Sequence, residues 1–283
     1  MKIAISAETT VDLTQELIAK YDIKITPFYV TLGDRTAPDG EITPEDIFEY
    51  VELNGVLPKT SAINEYTYSE YFKSLLNDYD AVIHFSLSSE LSSSYSNAVA
   101  ASNKLQNVHV INSKSLSTGI ALQAIYACKL RDEGKTPSEI CKLVRQRRGS
   151  VQASFVVNTL NYLYKGGRCS GVTNIIGTLL RIKPQILLTA EGKMVPGKKY
   201  MGKGSKVVKA YCSDVLEEFN NIDTSLVFIT HSHASPEMIE AAKQALIEKG
   251  ITNIEITVAG ATITSHCGPK TLGILYYNDG GVK

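Results

Sequence analysis

The sequence predicts an α/β protein built in two parts, and three observations carry that prediction. Through residue 157, short apolar runs alternate with segments of helical periodicity, the pattern of a parallel sheet covered by helices. Beyond that point a hairpin signal at Glu191-Gly192 interrupts the alternation, so the second part reads as an α/β domain with a mixed sheet. The chain has 283 residues, 43% of them hydrophobic, which is enough for two domains with cores of their own. The expected division is 1–157 and 158–283.

The elements follow in order. Lys2–Ser6 is apolar enough for a first strand, and Asp12 reads as the N-cap of a helix carrying Leu13, Leu17, Ile18 and Tyr21 on one face. Ile23–Leu32 reads as one strand, with Pro27 marking an edge or a bulge. Thr43-Pro44-Glu45-Asp46 starts a helix with Pro at its first position, and Gly55 stops it. Pro58–Ser61 reads as a polar loop before a helix that places Tyr68, Tyr71, Phe72, Leu75 and Leu76 on one side.

The next stretch, 81–98, is the one around which the rest is organised. An apolar strand, Ala81–Phe85, runs into a serine-rich loop and then into a helix bearing Tyr95, Ala98, Val99, Ser102 and Leu105. Ligands of open α/β sheets lie outside the carboxyl ends of the strands. A helix N-terminus flanked by hydroxyls suits a small anion such as a carboxylate or phosphate. Ser92 or Ser93 as a plain helix cap explains the same pattern. Asn107–Ile111 is another strand, a helix runs from Gly119 to about Arg131, and Thr136-Pro137-Ser138-Glu139 is a capping box. Val151–Val157 closes the first half as a strand.

In the second half, 158–164 is a short helical turn ending at Lys165-Gly166-Gly167-Arg168. That glycine pair lacks the spacing of a nucleotide cradle and reads as a helix stop with a structural turn. The segment 172–182 is strongly apolar, with Ile175, Ile176, Leu179 and Leu180; it is either core or the lining of an apolar tunnel. The Glu191-Gly192 hairpin, a helix over 205–219 and a strand over 225–230 follow. A Ser235-Pro236-Glu237 helix start and strands near 254–258 and 272–277 complete the chain, with His266 in a polar loop, 259–270, between the last two strands.

Composition removes several classes of function. Lys+Arg and Asp+Glu are both 29, so nothing favours nucleic acid or an anionic membrane surface as a partner. The opening Met1–Ser6 is too short for a signal peptide, and no apolar run is long enough for stable membrane insertion. Five scattered cysteines without a CxxC argue against a disulfide framework or zinc and fit a reducing cytoplasm. His231 and His233 lack further ligands at metal spacing and read as a polar connector. P-loop, dinucleotide and nucleophile-elbow motifs are missing from the sequence. A hydrolase using Ser92, His266 and Asp12 or Asp80 can be written down, but no spacing selects it. A binder of another small anionic metabolite is the other alternative.

Several motifs together resemble the DegV family. They are Lys59-Thr60-Ser61, Leu87–Tyr95, Asn112-Ser113-Lys114-Ser115, Leu163–Arg168, Leu180-Arg181-Ile182-Lys183-Pro184 and Ser265-His266-Cys267-Gly268-Pro269. The resemblance runs over essentially the whole chain. It implies a bacterial fatty-acid-binding carrier, not an enzyme, that needs no cofactor or metal. The carrier would hold one long-chain fatty acid, such as palmitate, stearate or oleate, in a ligand tunnel between its two parts. It would present the carboxylate to a fatty acid kinase, which makes acyl phosphate for phospholipid synthesis. The family's carboxylate contacts map onto Thr60 and Ser92, with Ser61 and Ser93 beside them, and its C-terminal histidine onto His266. The tail would run along Ile175, Ile176, Leu179 and Leu180. Hydroxyls and a helix N-terminus, rather than a salt bridge, would hold the head group. The chain departs from the family pattern at Ser6–Asp12, at Ser93 where a glycine is usual, at Ala62-Ile63, and at Met201-Gly202-Lys203-Gly204, where many members carry an arginine.

Overall fold

Strand Ile3–Glu8 (β1) is buried along its whole length, because it lies inside a parallel sheet with helices packed on it. A computed structural model describes residues 1–169 and 182–281 of the chain. Ile23–Thr26 (β2), Ala81–Ser86 (β6) and Val108–Asn112 (β7) complete that sheet in the order β2-β1-β6-β7, all parallel. Against it pack helix pairs Glu65–Leu76 (α3) with Ser94–Ser102 (α4), and Thr118–Asp132 (α5) with Pro137–Arg147 (α6).

A small antiparallel sheet caps this layer. Its strands are Tyr29–Leu32 (β3), Arg35–Pro38 (β4) and Lys59–Ser61 (β5), in the order β4-β3-β5. The single strand expected over Ile23–Leu32 is therefore two strands in two sheets. Pro27 has no N–H to offer a ladder, and the chain turns there. The expected polar loop at Pro58–Ser61 is β5: Thr60 pairs with Val30 and Ser61 with Tyr29. Asp12 does not cap the first helix. Thr14 caps Gln15–Tyr21 (α1), and Asp12 sits at φ 52° with its carboxylate turned inward. The capping box at Thr43 and the stop at Gly55 flank Pro44–Asn54 (α2) as the sequence indicates.

Val151–Val156 (β8) corrects another expectation. It does not close the first sheet; it lies within the second, between β9 and β13. Periodicity reports that a segment is a strand, but its partners are chosen by contacts distant in sequence. The second sheet runs β10-β9-β8-β13-β11-β12, from Ile182–Leu188 (β9), Met194–Met201 (β10), Val227–Ser232 (β11), Ile254–Val258 (β12) and Thr271–Tyr277 (β13). Only the β11–β12 pair is parallel, so the sheet is mixed as expected. Helices Gly204–Glu218 (α8) and Pro236–Glu248 (α9) cover one face, burying Val208, Tyr211, Val215, Ala242 and Leu246 against Ile229, Leu272 and Ile274.

Helix α5 joins the two halves. Its residues are apolar nearly all round, and eleven of them are buried. That is the pattern of a helix enclosed on every side: α5 touches β1 and β6 of one sheet and β8 and β13 of the other. A second joint is the β9–β10 turn. Gly192 there has φ 91°, and its carbonyl accepts a hydrogen bond of 2.8 Å from Ser88 Oγ in the serine loop. A Cβ on Gly192 would lie 2.9 Å from the Lys114 backbone, leaving no room for a side chain. Gly192→Ala should therefore lower stability by about 1–3 kcal/mol in urea unfolding, through strain and loss of this contact. A loss within 0.3 kcal/mol, about the error of such comparisons, would mean that the turn does not hold the halves together.

Candidate functional site

The polypeptide between the last two strands is not the loop that its composition suggests. Residues Ala261–Cys267 form a helix (α10), and His266 lies on its last turn. Thr, Ser and Gly are poor helix formers, so the reason lies in what holds the helix. The first N–H groups of any helix need partners from outside it. Here the other half of the protein supplies them. Asp39 accepts from the Ala261 and Thr262 N–H groups at 2.8 and 3.0 Å, and Asp12 accepts from Gly260 N–H at 2.8 Å. Ala261 itself is buried in the small core of Val30, Leu32, Ile42 and Ile47. A Cβ on Gly260 would lie 3.0 Å from Asp39 and 3.3 Å from Asp12, so the close approach suits glycine.

This clamp sets His266 opposite Thr60, whose Oγ1 lies 2.8 Å from His266 Nε2. Strand β5 presents Thr60 inward and Ser61 outward, as strand alternation requires. Segment 62–64 is then tied to the start of α4. Ile63 N–H donates to Ser94 Oγ at 3.2 Å, and Asn97 Nδ2 donates to the Ile63 carbonyl at 2.8 Å. That tie carries β5 to the serine loop. Ser92 and Ser93 lie just before α4. Ser93 occupies the N-cap position without a side-chain cap, and Ser92 Oγ accepts from Ser94 N–H at 3.1 Å.

A cavity of about 260 Å³ lies where these pieces meet. Thr60, Ser92, Ser93, His266 and Arg168 contribute polar groups to its wall, as do Ser117, Thr230, His231, Ser232, Thr262 and Thr271. Apolar wall comes from Phe28, Leu87, Leu91 and Leu116 of the first half. Phe155, Leu163, Met194, Ile263 and Leu275 come from the second. Of the residues singled out from the sequence, Thr60, Ser92, Ser93 and His266 therefore share one cavity. Ser61 is exposed and does not line it. Ile175, Ile176, Leu179 and Leu180 lie outside the described residues.

Arg168, Ser117 and Thr262 are among the lining residues that the sequence patterns do not single out. Arg168 is exposed and its guanidinium donates to the Gly166 carbonyl, which follows from the Gly-Gly turn ahead of it. Gly167, at φ 67°, ends Asn161–Gly166 (α7). Gly166 passes so close to His266 that a Cβ there would lie 2.6 Å from Nδ1. The helix stop is real, and it also makes room for the imidazole. Ser117 precedes α5 at φ 51°, ψ −140°, a conformation disfavoured for residues with a side chain; its Oγ donates to Asp12 at 2.5 Å. The positive φ was the only backbone signal, and a sequence does not print φ.

Electrostatics assign different parts to the two basic groups. Burial, with Arg168 nearby, pushes the His266 pKa down to about 4. The imidazole is therefore neutral at neutral pH and acts as a hydrogen-bonding group, while Arg168 supplies the positive charge. Asp12 moves the other way: burial, with Asp39 adding to it, raises its pKa to about 8.

A hydrolytic triad is not assembled. His266 Nε2 pairs with Thr60 rather than Ser92, Asp12 serves the clamp, and Asp80 accepts from Lys2 N–H at the surface. His233 pairs with Glu45 at 2.9 Å on the surface, and among the described residues no group of three or more acidic, His or Cys side chains converges as a metal site. Among the described residues no helix is long and apolar enough to cross a membrane.

The fold and the cavity define a class: a two-part α/β binding protein with a largely apolar pocket that carries several polar groups. The family described as "Uncharacterised protein, DegV family" matches residues 2–279, and the chain belongs to the DegV family. It is 30% identical over 280 residues to a protein of Thermotoga maritima named as a fatty acid-binding protein, covering 96% of each chain. The solved structure of a fatty-acid-binding DegV family protein from Thermus thermophilus superposes with a TM-score of 0.89. That protein is 26% identical over 98% of this chain and 99% of its own. DegV of Bacillus subtilis, described as a fatty acid binding protein, gives a TM-score of 0.85 at 25% identity over 98% and 99%. These relatives are named for binding rather than for catalysis.

Two pH measurements test the electrostatics. His266 ring resonances in ligand-free protein should stay at their neutral positions from pH 8 down to about 5, and an ordinary midpoint near 6.5 would refute the buried neutral ring. For Asp12 the native state keeps a proton that the unfolded chain releases above pH 4. Wild-type stability relative to Asp12→Asn should therefore fall steadily as pH rises from 5 to 8. A difference that is flat or rises with pH would contradict the raised pKa.

Proposed function

We propose that this chain binds one long-chain fatty acid in the cavity between its halves and presents the carboxylate to a fatty acid kinase. The observation that carries the reading is the make-up of the cavity: hydroxyls, neutral imidazole and one guanidinium on a wall that is otherwise largely apolar. A carboxylate matches the polar groups and an acyl chain the apolar wall. The names of the similar proteins support the same ligand class.

In this reading the carboxylate takes the place now shared by Thr60 Oγ1 and His266 Nε2. Both side chains reorient their hydrogen bonds toward it, with Ser92, Ser93 and Arg168 around it. Ser61 supports β5 and makes no side-chain contact with the ligand. Each buried methylene contributes about 0.8 kcal/mol, so a C16 chain offers on the order of 10 kcal/mol before association costs. Ser93 and Arg168 line the cavity and are exposed, which supports a carboxylate held where a partner enzyme can reach it. The kinase step, acyl phosphate formation and its use in phospholipid synthesis rest on the family resemblance. A cytoplasmic location accords with five scattered cysteines that lack a CxxC.

Native mass spectrometry of the purified protein, followed by denaturing extraction, tests the ligand. A stoichiometric mass increment that is released as a C14 to C18 fatty acid is expected. Apo protein that also refuses added palmitate and oleate would end this reading in favour of a small polar anion. Thr60→Val should weaken palmitate binding roughly ten- to a hundredfold by removing one hydrogen bond to a charged group. Equal affinity in the variant would remove Thr60 from the head-group site. Phosphorylation of bound palmitate by a fatty acid kinase, seen with wild type and lost when the carrier is omitted, tests presentation.

A further inference from the structure

Among the described residues, three that line the cavity carry a buried polar atom without a hydrogen-bond partner. They are His231 and His266, each at Nδ1, and Thr262, whose hydroxyl is the only one of the three on an uncharged aliphatic side chain. Thr262 is 3% exposed, and its Oγ1 is buried with no hydrogen-bond partner. Burying a hydroxyl unpaired costs free energy, so such a group calls for an explanation. Its neighbours on α10 show how a hydroxyl is normally satisfied there. Ser265 Oγ donates back to the Ala261 carbonyl at 2.7 Å, and Thr264 Oγ1 donates to the Ala259 carbonyl at 3.1 Å. Thr262 sits at the second position of the helix, so the residue four before it, Val258, is in β12. No helical carbonyl lies behind it to accept.

Thr262 also faces the ligand space. It lies four residues before His266, on the same side of α10, and both line the cavity. Four residues of helix span about 6 Å, so its hydroxyl is about one turn from the imidazole. The other hydroxyls on that wall are satisfied within the protein. Ser117 donates to Asp12, Thr230 pairs with Thr118 and Thr257, and Ser232 pairs with Thr264. Thr271 donates to the Cys267 carbonyl. Thr262 alone among these offers an unused donor and acceptor to whatever occupies the cavity.

We infer that Thr262 is a specificity-determining residue that pairs with a hydroxyl on the carboxyl-proximal part of the acyl chain, so that the cavity favours hydroxy fatty acids over plain ones. The inference rests on the proposal that the cavity holds a fatty acid, and it narrows the ligand class. A hydroxyl near the carboxylate both donates to and accepts from Thr262 Oγ1. A plain methylene at that point leaves the threonine unpaired and loses the difference.

Delipidated protein titrated with palmitate, 3-hydroxypalmitate and 12-hydroxystearate tests this. Wild type should bind 3-hydroxypalmitate about three- to tenfold more tightly than palmitate, the worth of one buried neutral hydrogen bond. Thr262→Val keeps the shape and removes the hydroxyl; it should abolish the preference, with palmitate bound at least as tightly as by wild type because no hydroxyl is left unpaired. Thr262→Ser should retain the preference. The inference is overturned if wild type does not discriminate, or if the preference survives in Thr262→Val. A Thr262-dependent gain confined to 12-hydroxystearate would overturn the placement near the head group. A large loss of palmitate affinity in Thr262→Val would make this residue a carboxylate contact instead. Failure of wild type to bind any of the three acids would count against the fatty-acid reading itself, whereas normal palmitate binding without hydroxyl selectivity would sink only the present inference.

Discussion

The site depends on how the first turn of α10 is satisfied. Three backbone N–H groups, of Gly260, Ala261 and Thr262, point into the seam between the halves, and Asp12 and Asp39 accept them. An unsatisfied buried N–H costs roughly 1–3 kcal/mol, so a seam without those carboxylates would not keep a short helix of threonines and serines. With them, α10 is docked across the seam, and its last turn delivers His266 to Thr60. The cavity is thus built by two carboxylates that are not among its lining groups. Their own burial has a cost, visible in the raised pKa of Asp12; the Ser117 hydroxyl and the Gly260 N–H offset part of it.

Around this seam the two sheets are held by apolar packing. Helix α5 is shared by both and presents buried side chains to each. The β9–β10 turn seats Gly192 on Ser88 and Lys114, which brings Met194 to the cavity wall. The serine loop is fixed from below by Glu8, whose carboxylate accepts from Leu87 N–H and Ser86 Oγ, both at 2.7 Å. Serines that look alike in the sequence therefore have different duties. Ser86 and Ser88 are buried structural groups, Ser94 anchors Ile63, and Ser92 and Ser93 reach the cavity.

The cavity wall combines polar groups that suit an anion without being an enzyme's. A neutral imidazole, hydroxyls and an exposed guanidinium can hold a carboxylate while leaving it open to a second protein. His266 Nε2 pairs with Thr60, and among the described residues its Nδ1 has no orienting partner of the kind a catalytic triad supplies. Beside the hydroxyls and the helix N-terminus that the sequence singles out, the cavity wall also carries Arg168, which follows the turn at Gly166-Gly167.

Much of this was legible in the residue order. Apolar periodicity located nearly every strand and helix, the Thr43 and Thr136 boxes marked helix starts, and Glu191-Gly192 marked the hairpin. Thr60, Ser92, Ser93 and His266 were identifiable as a set through family motifs. Local patterns are legible because propensity, capping and turn chemistry act over a few residues. What the sequence alone did not decide is everything that depends on partners far along the chain. The strand Val151–Val156 belongs to the second sheet because of its neighbours β9 and β13, not because of its own side chains. Residues 261–267 are helical because Asp12 and Asp39, more than 200 positions earlier, accept their N–H groups. Thr262 is left unpaired for the same reason: the tertiary structure buries it where no carbonyl can reach, and only a ligand or the fold around it can say what it is for.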